Sequence, residues 1–258
     1  MTIKVFHLNI YTGKYLDNII SYLNQNDFDI IQIQESATQS FGYAQKDIFR
    51  EIKKTKGYEG FYLPTLGLLN QKNKTTGCAT FFKPDLNLVS KDFVWLRPYT
   101  QIETIEQFLT ADPPDVIENQ GRAAISLQFD FGNIKINFVN THLVWSQKAN
   151  DTQKKLDAGK QLFDYVRNLK NDFVLTGDFN VDKNSQIIKW FSSISRNLVS
   201  KNGITNTLNP RLHRAKHLFP QGLAADFAFA TSGLVVENFK VVVDDLSDHL
   251  GLSFDIKI

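Results

Sequence analysis

The segment Val174-Leu175-Thr176-Gly177-Asp178-Phe179-Asn180 constrains this chain more than any other. Phe173, Val174 and Leu175 form an apolar run of strand character that stops at a glycine. Gly177 is expected to let the backbone leave that strand in a conformation other residues resist. Side chains two apart on an extended chain share a face. Asp178 and Asn180 are therefore expected in one pocket, with Phe179 packing the other way. A carboxylate beside a carboxamide at the mouth of a sheet suits water activation or metal binding. Taken singly, Asp and Asn are also common turn residues, so this reading depends on partners elsewhere in the chain.

The chain has 258 residues, enough to bury a large core, and no linker, repeat or low-complexity tract divides it. Residues 1–258 are read as one domain. The formal net charge of +2 is too small to announce nucleic acid, a membrane or an acidic substrate. The single cysteine, Cys78, excludes an internal disulfide and lies in an apolar strand pattern, which suits a buried structural thiol. No stretch approaches the ~20 apolar residues that span a bilayer. A cytoplasmic, soluble monomer without membrane contact is expected.

Strand patterns run over residues 3–10, 28–35, 58–63, 77–82 and 85–96, with helical spacing over 15–23 and 45–54. Residues 98–120 break the pattern with Pro113-Pro114 and five acidic residues, Glu103, Glu106, Asp112, Asp115 and Glu118, against no Lys or Arg. They read as a surface connection with one short helix near 104–109. A hairpin over 122–131 and 134–141 turns at Gly132-Asn133. A helix over 151–169 then leads to the strand that ends at Asp178. Residues 196–225 carry Arg196, Lys201, Arg211, Arg214 and Lys216 with no acidic residue. Residues 223–230 and 234–243 read as a strand pair, and 250–256 as the last strand. Strands interrupted by helices predict a mixed α/β domain with sheet packed on sheet and helices outside.

Polar residues recur at the ends of these apolar strands. Asn9 ends the first, Glu35 the second, Thr141-His142 the hairpin, and Asp178 and Asn180 the central strand. Asp226 sits among apolar strand residues, where an unpaired carboxylate is disfavoured; a histidine is its natural partner. Ser247-Asp248-His249 precedes the last strand. Singly, each has a bland explanation, such as a helix cap for Glu35 or a core histidine for His142. The ordered set, with Gln34-Glu35, Gly121-Arg122 and Gly177-Asp178-Phe179-Asn180, resembles the endonuclease/exonuclease/phosphatase superfamily, relatives of pancreatic-type deoxyribonuclease. The resemblance spans the first strand to the last.

The resemblance implies a four-layered α/β sandwich with its active site at one edge of two packed sheets. It implies Glu35 as principal ligand of a Mg²⁺ or Mn²⁺ ion, with Asn9 and Asp248 beside it, a hard oxygen set that suits Mg²⁺. Asp178 would activate the attacking water and Asn180 would position Asp178. Asp226 would fix His249, and His249 and His142 would donate to the non-bridging oxygens. Arg122 would clamp phosphate through its two-pronged guanidinium.

Departures narrow the branch. Thr141-His142 replaces the tyrosine-containing motif of the apurinic endonucleases, and Ala225-Asp226-Phe227 differs from the Trp-Cys-Asp-Arg type signature of inositol-polyphosphate phosphatases. The leading expectation is a nuclease that hydrolyses DNA, with RNA second. The alternatives are hydrolysis of a small phosphorylated molecule or phospholipid head group, and a catalytically inactive binding module. Arg214 and its basic neighbours, with Lys72 and Lys74, are candidates for a phosphate-tracking face. The acidic connection would repel a long duplex if it crosses the groove. Tyr99, Phe108 and Trp145 are candidates to stack on bases.

Overall fold

The computed structural model describes residues 1–109, 115–214 and 216–258, so Asp112 and Pro113-Pro114 of the acidic connection lie outside the described residues. Strands β1 (Thr2–Asn9) and β2 (Ile30–Ala37) run parallel, linked by helix α1 (Leu16–Gln25). Helix α2 (Ile48–Lys56) starts where Asp47 accepts from the Arg50 amide and ends two residues beyond the expected end, where Gly57 turns left-handed. The strand expectations near 58–63 and 77–82 become one longer hairpin, β3 (Glu59–Leu68) and β4 (Gln71–Phe82).

The chain continues through β5 (Leu88–Arg97), β6 (Thr100–Ile102), α3 (Ile105–Leu109) and α4 (Asp115–Asn119). The expected hairpin follows as β7 (Arg122–Asp130) and β8 (Lys135–His142). Then come α5 (Gln153–Arg167), β9 (Asp172–Asp178) and α6 (Gln186–Ile194). The short β10 (Arg196–Asn197) and α7 (Leu198–Lys201) precede β11 (Asp226–Ala230), β12 (Val235–Val242) and β13 (Gly251–Lys257).

Two mixed sheets result. One orders β12-β13-β1-β2-β4-β3-β6, the other β10-β11-β9-β8-β7-β5. The expected pairing of β11 with β12 does not occur. Every residue of β11 is buried, as a central strand requires, and it pairs with β9 and β10. Strand β12 leaves Val235, Glu237, Asn238 and Lys240 exposed and crosses to the edge of the other sheet, beside β13.

Alternation along β1 explains the layering. Ile3 and Val5 face the second sheet, while Phe6 and Leu8 face α1 and α2, where Ile19, Leu23, Ile48 and Ile52 complete a second core. On the far side, Leu162 and Val166 of α5 and Ile187 and Phe191 of α6 cover the six-stranded sheet. The order helices, sheet, sheet, helices is the expected four-layered α/β sandwich. Cys78 sits buried in its core, and burial pushes the thiol up to about 12. No helix among the described residues is long and apolar enough to cross a membrane.

At one end the space between the sheets turns polar. Gln32 of β2 accepts from the Thr176 hydroxyl at 2.8 Å, and Gln34 donates to Asn140 at 2.5 Å. Asn140 donates in turn to the Ile33 and Ala79 carbonyls at 3.1 and 2.8 Å. Buried polar groups are tolerated when they satisfy one another, and they then fix the relative position of what they join. Here they lock the two sheets together directly beneath a cavity.

Candidate active site

Strand register assembles the floor of that cavity. Asp178 pairs with His142 across β9–β8 and with Asp226 across β9–β11, so three neighbouring strand ends deliver two carboxylates and an imidazole side by side. Gly177 serves this approach differently from expectation. It stays within the strand, and a Cβ there would lie 2.5 Å from the Thr141 carbonyl oxygen. The glycine allows close contact of β9 with β8; the turn itself falls on Asn180, at φ 53°.

The sheet opposite contributes Asn9, at the end of β1, and Glu35. Glu35 has φ 57° and lies where the β2–β4 register shifts between Ile33 and Ser36. Such a bulge re-aims one side chain, and it turns Glu35 toward the cavity. Asn9 donates to Glu35 at 3.3 Å and to Asp178 at 3.1 Å, while its oxygen accepts from the Tyr11 amide. Asp248 and His249 enter from the loop before β13, and the Ser247 hydroxyl donates to Asp248 at 3.1 Å.

Asp226 has no exposure and lies behind His249. It accepts from His249 Nδ1 at 2.8 Å, from His7 Nε2 at 3.1 Å and from the Thr207 hydroxyl at 2.7 Å. Gln34 occupies His7 Nδ1, which assigns the hydrogen to Nε2. Burial alone would raise the Asp226 carboxyl, but His249 and His7 outweigh it and hold it well below the usual range. Burial likewise works against a charged His249, yet Asp226 and Asp178 hold the ring well above its ordinary value as an imidazolium.

His142 is the opposite case. Burial first, then Arg122, push it well below the ordinary imidazole value. Arg122 Nη1 donates to His142 Nδ1 at 3.2 Å. A guanidinium cannot accept, so the His142 hydrogen belongs on Nε2, which lies 3.4 Å from Asp178. One floor thus holds an imidazolium and a neutral imidazole, both aimed at the Asp178 carboxylate. Burial pushes Asp178 upward, with His249 opposing.

The cavity encloses about 740 Å³. Asn9, Glu35, Arg122, His142, Asp178, Asn180, Asp248 and His249 line it, so every expected site residue except the supporting Asp226 meets there. Among the stacking candidates Phe108 and Trp145 line it and Tyr99 does not; Tyr99 packs over Gly67 instead. Lys72, exposed, and Lys74, half-buried, lie on β4 itself and outside the lining. Of the basic run, Arg214 reaches the wall, while Arg196 bonds the Leu234 carbonyl and Arg211 pairs with Asp245.

Several contributors went unread in sequence: Tyr11, Tyr43, His7 and Thr207. His7 was findable, since a histidine amid Val5, Phe6 and Leu8 is as much in need of a partner as Asp226.

The donor set also bears on a cation. Glu35 and Asp248 are hard oxygen donors in a buried setting, and burial together with Asp248 pushes the Glu35 carboxyl up to about 7. Two carboxylates that disfavour each other's charge fit a divalent cation between them. Ligand-type atoms of His213, Asp248 and His249, and of Asp178, Asp226 and His249, also lie within 4.8 Å of one another.

The sequence model of the Endonuclease/Exonuclease/phosphatase family matches residues 7–249, from the strand bearing His7 to His249. The chain belongs to this family. It is 30% identical over 193 residues to the CCR4-Not complex 3'-5'-exoribonuclease subunit Ccr4 of Candida albicans, matching 66% of this chain but only 23% of that protein. Its fold is similar to an endonuclease/exonuclease/phosphatase from Bacteroides vulgatus, with TM-score 0.73 and 15% identity over 100% of this chain and 99% of that one. It is also similar to a mannosyl-6-phosphatase from Bacteroides thetaiotaomicron, with TM-score 0.67 and 18% identity over 99% and 100% of the two chains.

Proposed function

We propose that residues 1–258 act as one metal-dependent phosphodiesterase that takes single-stranded nucleic acid by its end. The observation that carries this reading is the cavity wall. Two connections face each other across the acidic floor: Phe108, Leu109 and Ile117 on one side, Arg214, Leu218 and Phe219 on the other. Arg214 bonds the Leu109 carbonyl at 3.4 Å and the Tyr43 hydroxyl, closing the gap between them. A duplex needs an open groove to lay its backbone over the floor. An unpaired terminal nucleotide fits a walled pocket, and aromatic faces there would stack on its base. The similarity to an exoribonuclease supports RNA as the first substrate to test, with DNA beside it.

Glu35 and Asp248, with Asn9 beside Glu35, would hold Mg²⁺ or Mn²⁺, which supplies positive charge to a phosphoryl oxygen. Asp178 accepts the proton of the attacking water. Asn180 holds Asp178 through its amide, which donates to Oδ1 at 3.0 Å. The His249 imidazolium and the His142 Nε2–H stabilise negative charge as it builds on the non-bridging oxygens. Arg122 acts beside them through His142. Positioning and electrostatics carry the reaction, and no covalent intermediate is needed.

A second reading, hydrolysis of a small phosphorylated molecule, draws on the same enclosure and on the fold shared with the mannosyl-6-phosphatase. End-labelled single-stranded RNA and DNA, the matching duplexes, and a panel of sugar and nucleoside monophosphates would separate the two in Mg²⁺, Mn²⁺ or EDTA. Metal-dependent shortening of single strands from an end is the expected result. Faster nicking of supercoiled duplex, or turnover confined to monophosphates, would sink the proposal.

A further inference from the structure

We propose that Lys155 is a positioning residue of this phosphoesterase centre, its buried ammonium fixing the turn that presents Asn180; the proposal rests on the reading of the centre given above. Lys155 lies in the first turn of α5 and has no exposure. Its Nζ donates to the Asn180 carbonyl at 2.7 Å and the Lys148 carbonyl at 3.0 Å. Both acceptors are neutral. A buried cation is disfavoured unless it is well bonded, and an apolar side chain of similar length would fill the same space without that penalty. The charge therefore calls for a task.

The two carbonyls belong to the two segments bordering the floor. Lys148 follows Trp145, Ser146 and Gln147 of the cavity wall, after β8; Asn180 follows Asp178, after β9. Lys155 ties one to the other. The tie falls on a left-handed point, because Asn180 holds φ 53°, a conformation open to asparagine but one that its surroundings must fix in place. Three bonds do so. The Asn180 amide donates to Asp178, its side-chain NH₂ donates to the Leu143 carbonyl at 3.1 Å, and its carbonyl accepts from Lys155. Only the last comes from outside the two strand ends. Without it a buried carbonyl loses its donor and the turn can relax.

Burial lowers the Lys155 pKa to about 8, with Asp178, Asp151, Glu118 and Asp182 opposing. As pH rises through that value the group gives up its charge and one of its N–H donors, so the hold on Asn180 weakens on the alkaline side.

Lys155→Met and Lys155→Arg test the role, read on whichever phosphoester the wild type hydrolyses and by backbone and side-chain amide resonances of Asn180. A misplacement of this order lowers kcat by about 10- to 100-fold, with KM within about threefold, in Lys155→Met. Lys155→Arg, which keeps the cation and does not titrate, restores kcat to within about fivefold and removes the alkaline fall near pH 8. The Asn180 resonances shift or broaden in the Met variant and not in the Arg variant. A folded Lys155→Met protein with wild-type kcat and unmoved Asn180 resonances would overturn the proposal. So would equal losses in both variants. If the wild type turns over no phosphoester, the reading of the centre falls, and the resonances alone decide the positioning role: unmoved, it fails; moved in Met and restored in Arg, it stands.

Discussion

The floor and the wall of the cavity are built by different means. The floor residues sit at strand ends, or for Glu35 at a bulge two residues inside one: Asn9 on β1, Glu35 on β2, His142 on β8, Asp178 on β9 and Asp226 on β11. Ladder register sets their spacing, and the His7–Asp226 and Gln34–Asn140 bonds pin one sheet to the other. The wall residues come from connections and hold one another through side chains. Tyr11 and Tyr43 meet at 4.9 Å with Arg214 over both rings, and Phe108 packs edge-on against Phe41 at 5.4 Å. Backbone geometry thus fixes the chemistry, while replaceable side-chain contacts shape what reaches it. A change in the floor should strike every substrate alike, and a change in the wall should sort among them.

The largest effect tests the first half of that statement. Glu35→Ala, or chelation of the metal, should lower kcat by about 10³-fold or more on oligonucleotides and on a small phosphodiester such as bis-p-nitrophenyl phosphate. Steady-state rates on both substrates check it. A loss confined to one substrate would make Glu35 part of the wall.

Asp226→Asn comes next. It removes the anion that keeps His249 charged, so kcat should fall by about 10²-fold. The sign of its pH dependence is fixed. Asp226 and Asp178 raise the His249 pKa, so the wild-type ring stays protonated well above its ordinary value. With Asp226 neutralised, the ring loses its proton at lower pH, and the variant should be more impaired at pH 8 than at pH 6. A pH–rate profile showing the reverse would recast His249 as a base.

The same contrast explains what the sequence disclosed. Floor residues were legible because each interrupts or ends an apolar strand, as Asp226 does between Ala225 and Phe227. The layers followed from alternation such as that in β1. Other features depended on distant partners. Nothing local says that β12 leaves β11 for the other sheet, because an edge strand is recognised only by what it lies against. Glycine commonly takes a turn, which is what the sequence suggests for Gly177; its real task, clearance for the Thr141 carbonyl, exists only once β8 is beside it. Helix α6 did carry a local signal, Ser185 capping a run with Ile187, Ile188 and Phe191 on one face, and that signal went unread. Tyr11, Tyr43 and Arg214 are far apart in sequence and meet only through packing.

Substitutions in the wall sharpen the second half of the comparison. Tyr43→Ala releases both Tyr11 and Arg214, and Phe108→Ala removes an aromatic face. Each should raise KM for a single-stranded oligonucleotide by about tenfold, the scale of one lost base–aromatic stack. Hydrolysis of bis-p-nitrophenyl phosphate should stay within about twofold, because the floor is untouched. Michaelis–Menten analysis on the two substrates separates these outcomes. Equal losses on both would mean that wall and floor are one unit.

The smallest effect is the most pointed. Lys72 stands exposed and Lys74 half-buried on β4, both outside the cavity lining. If substrate arrives end-first through the wall, the double variant Lys72→Ala/Lys74→Ala should bind an oligonucleotide within about twofold of wild type. Its salt dependence should also be unchanged, because each phosphate contact adds about 0.7 to the slope of log K against log salt for a single strand. Binding titrations across a range of salt concentrations measure that slope directly. A slope lowered by the equivalent of one or two contacts would show that nucleic acid runs along β4 as well. The backbone would then extend well past the pocket, and a groove would replace the end-on pocket as the description of how substrate lies on this protein.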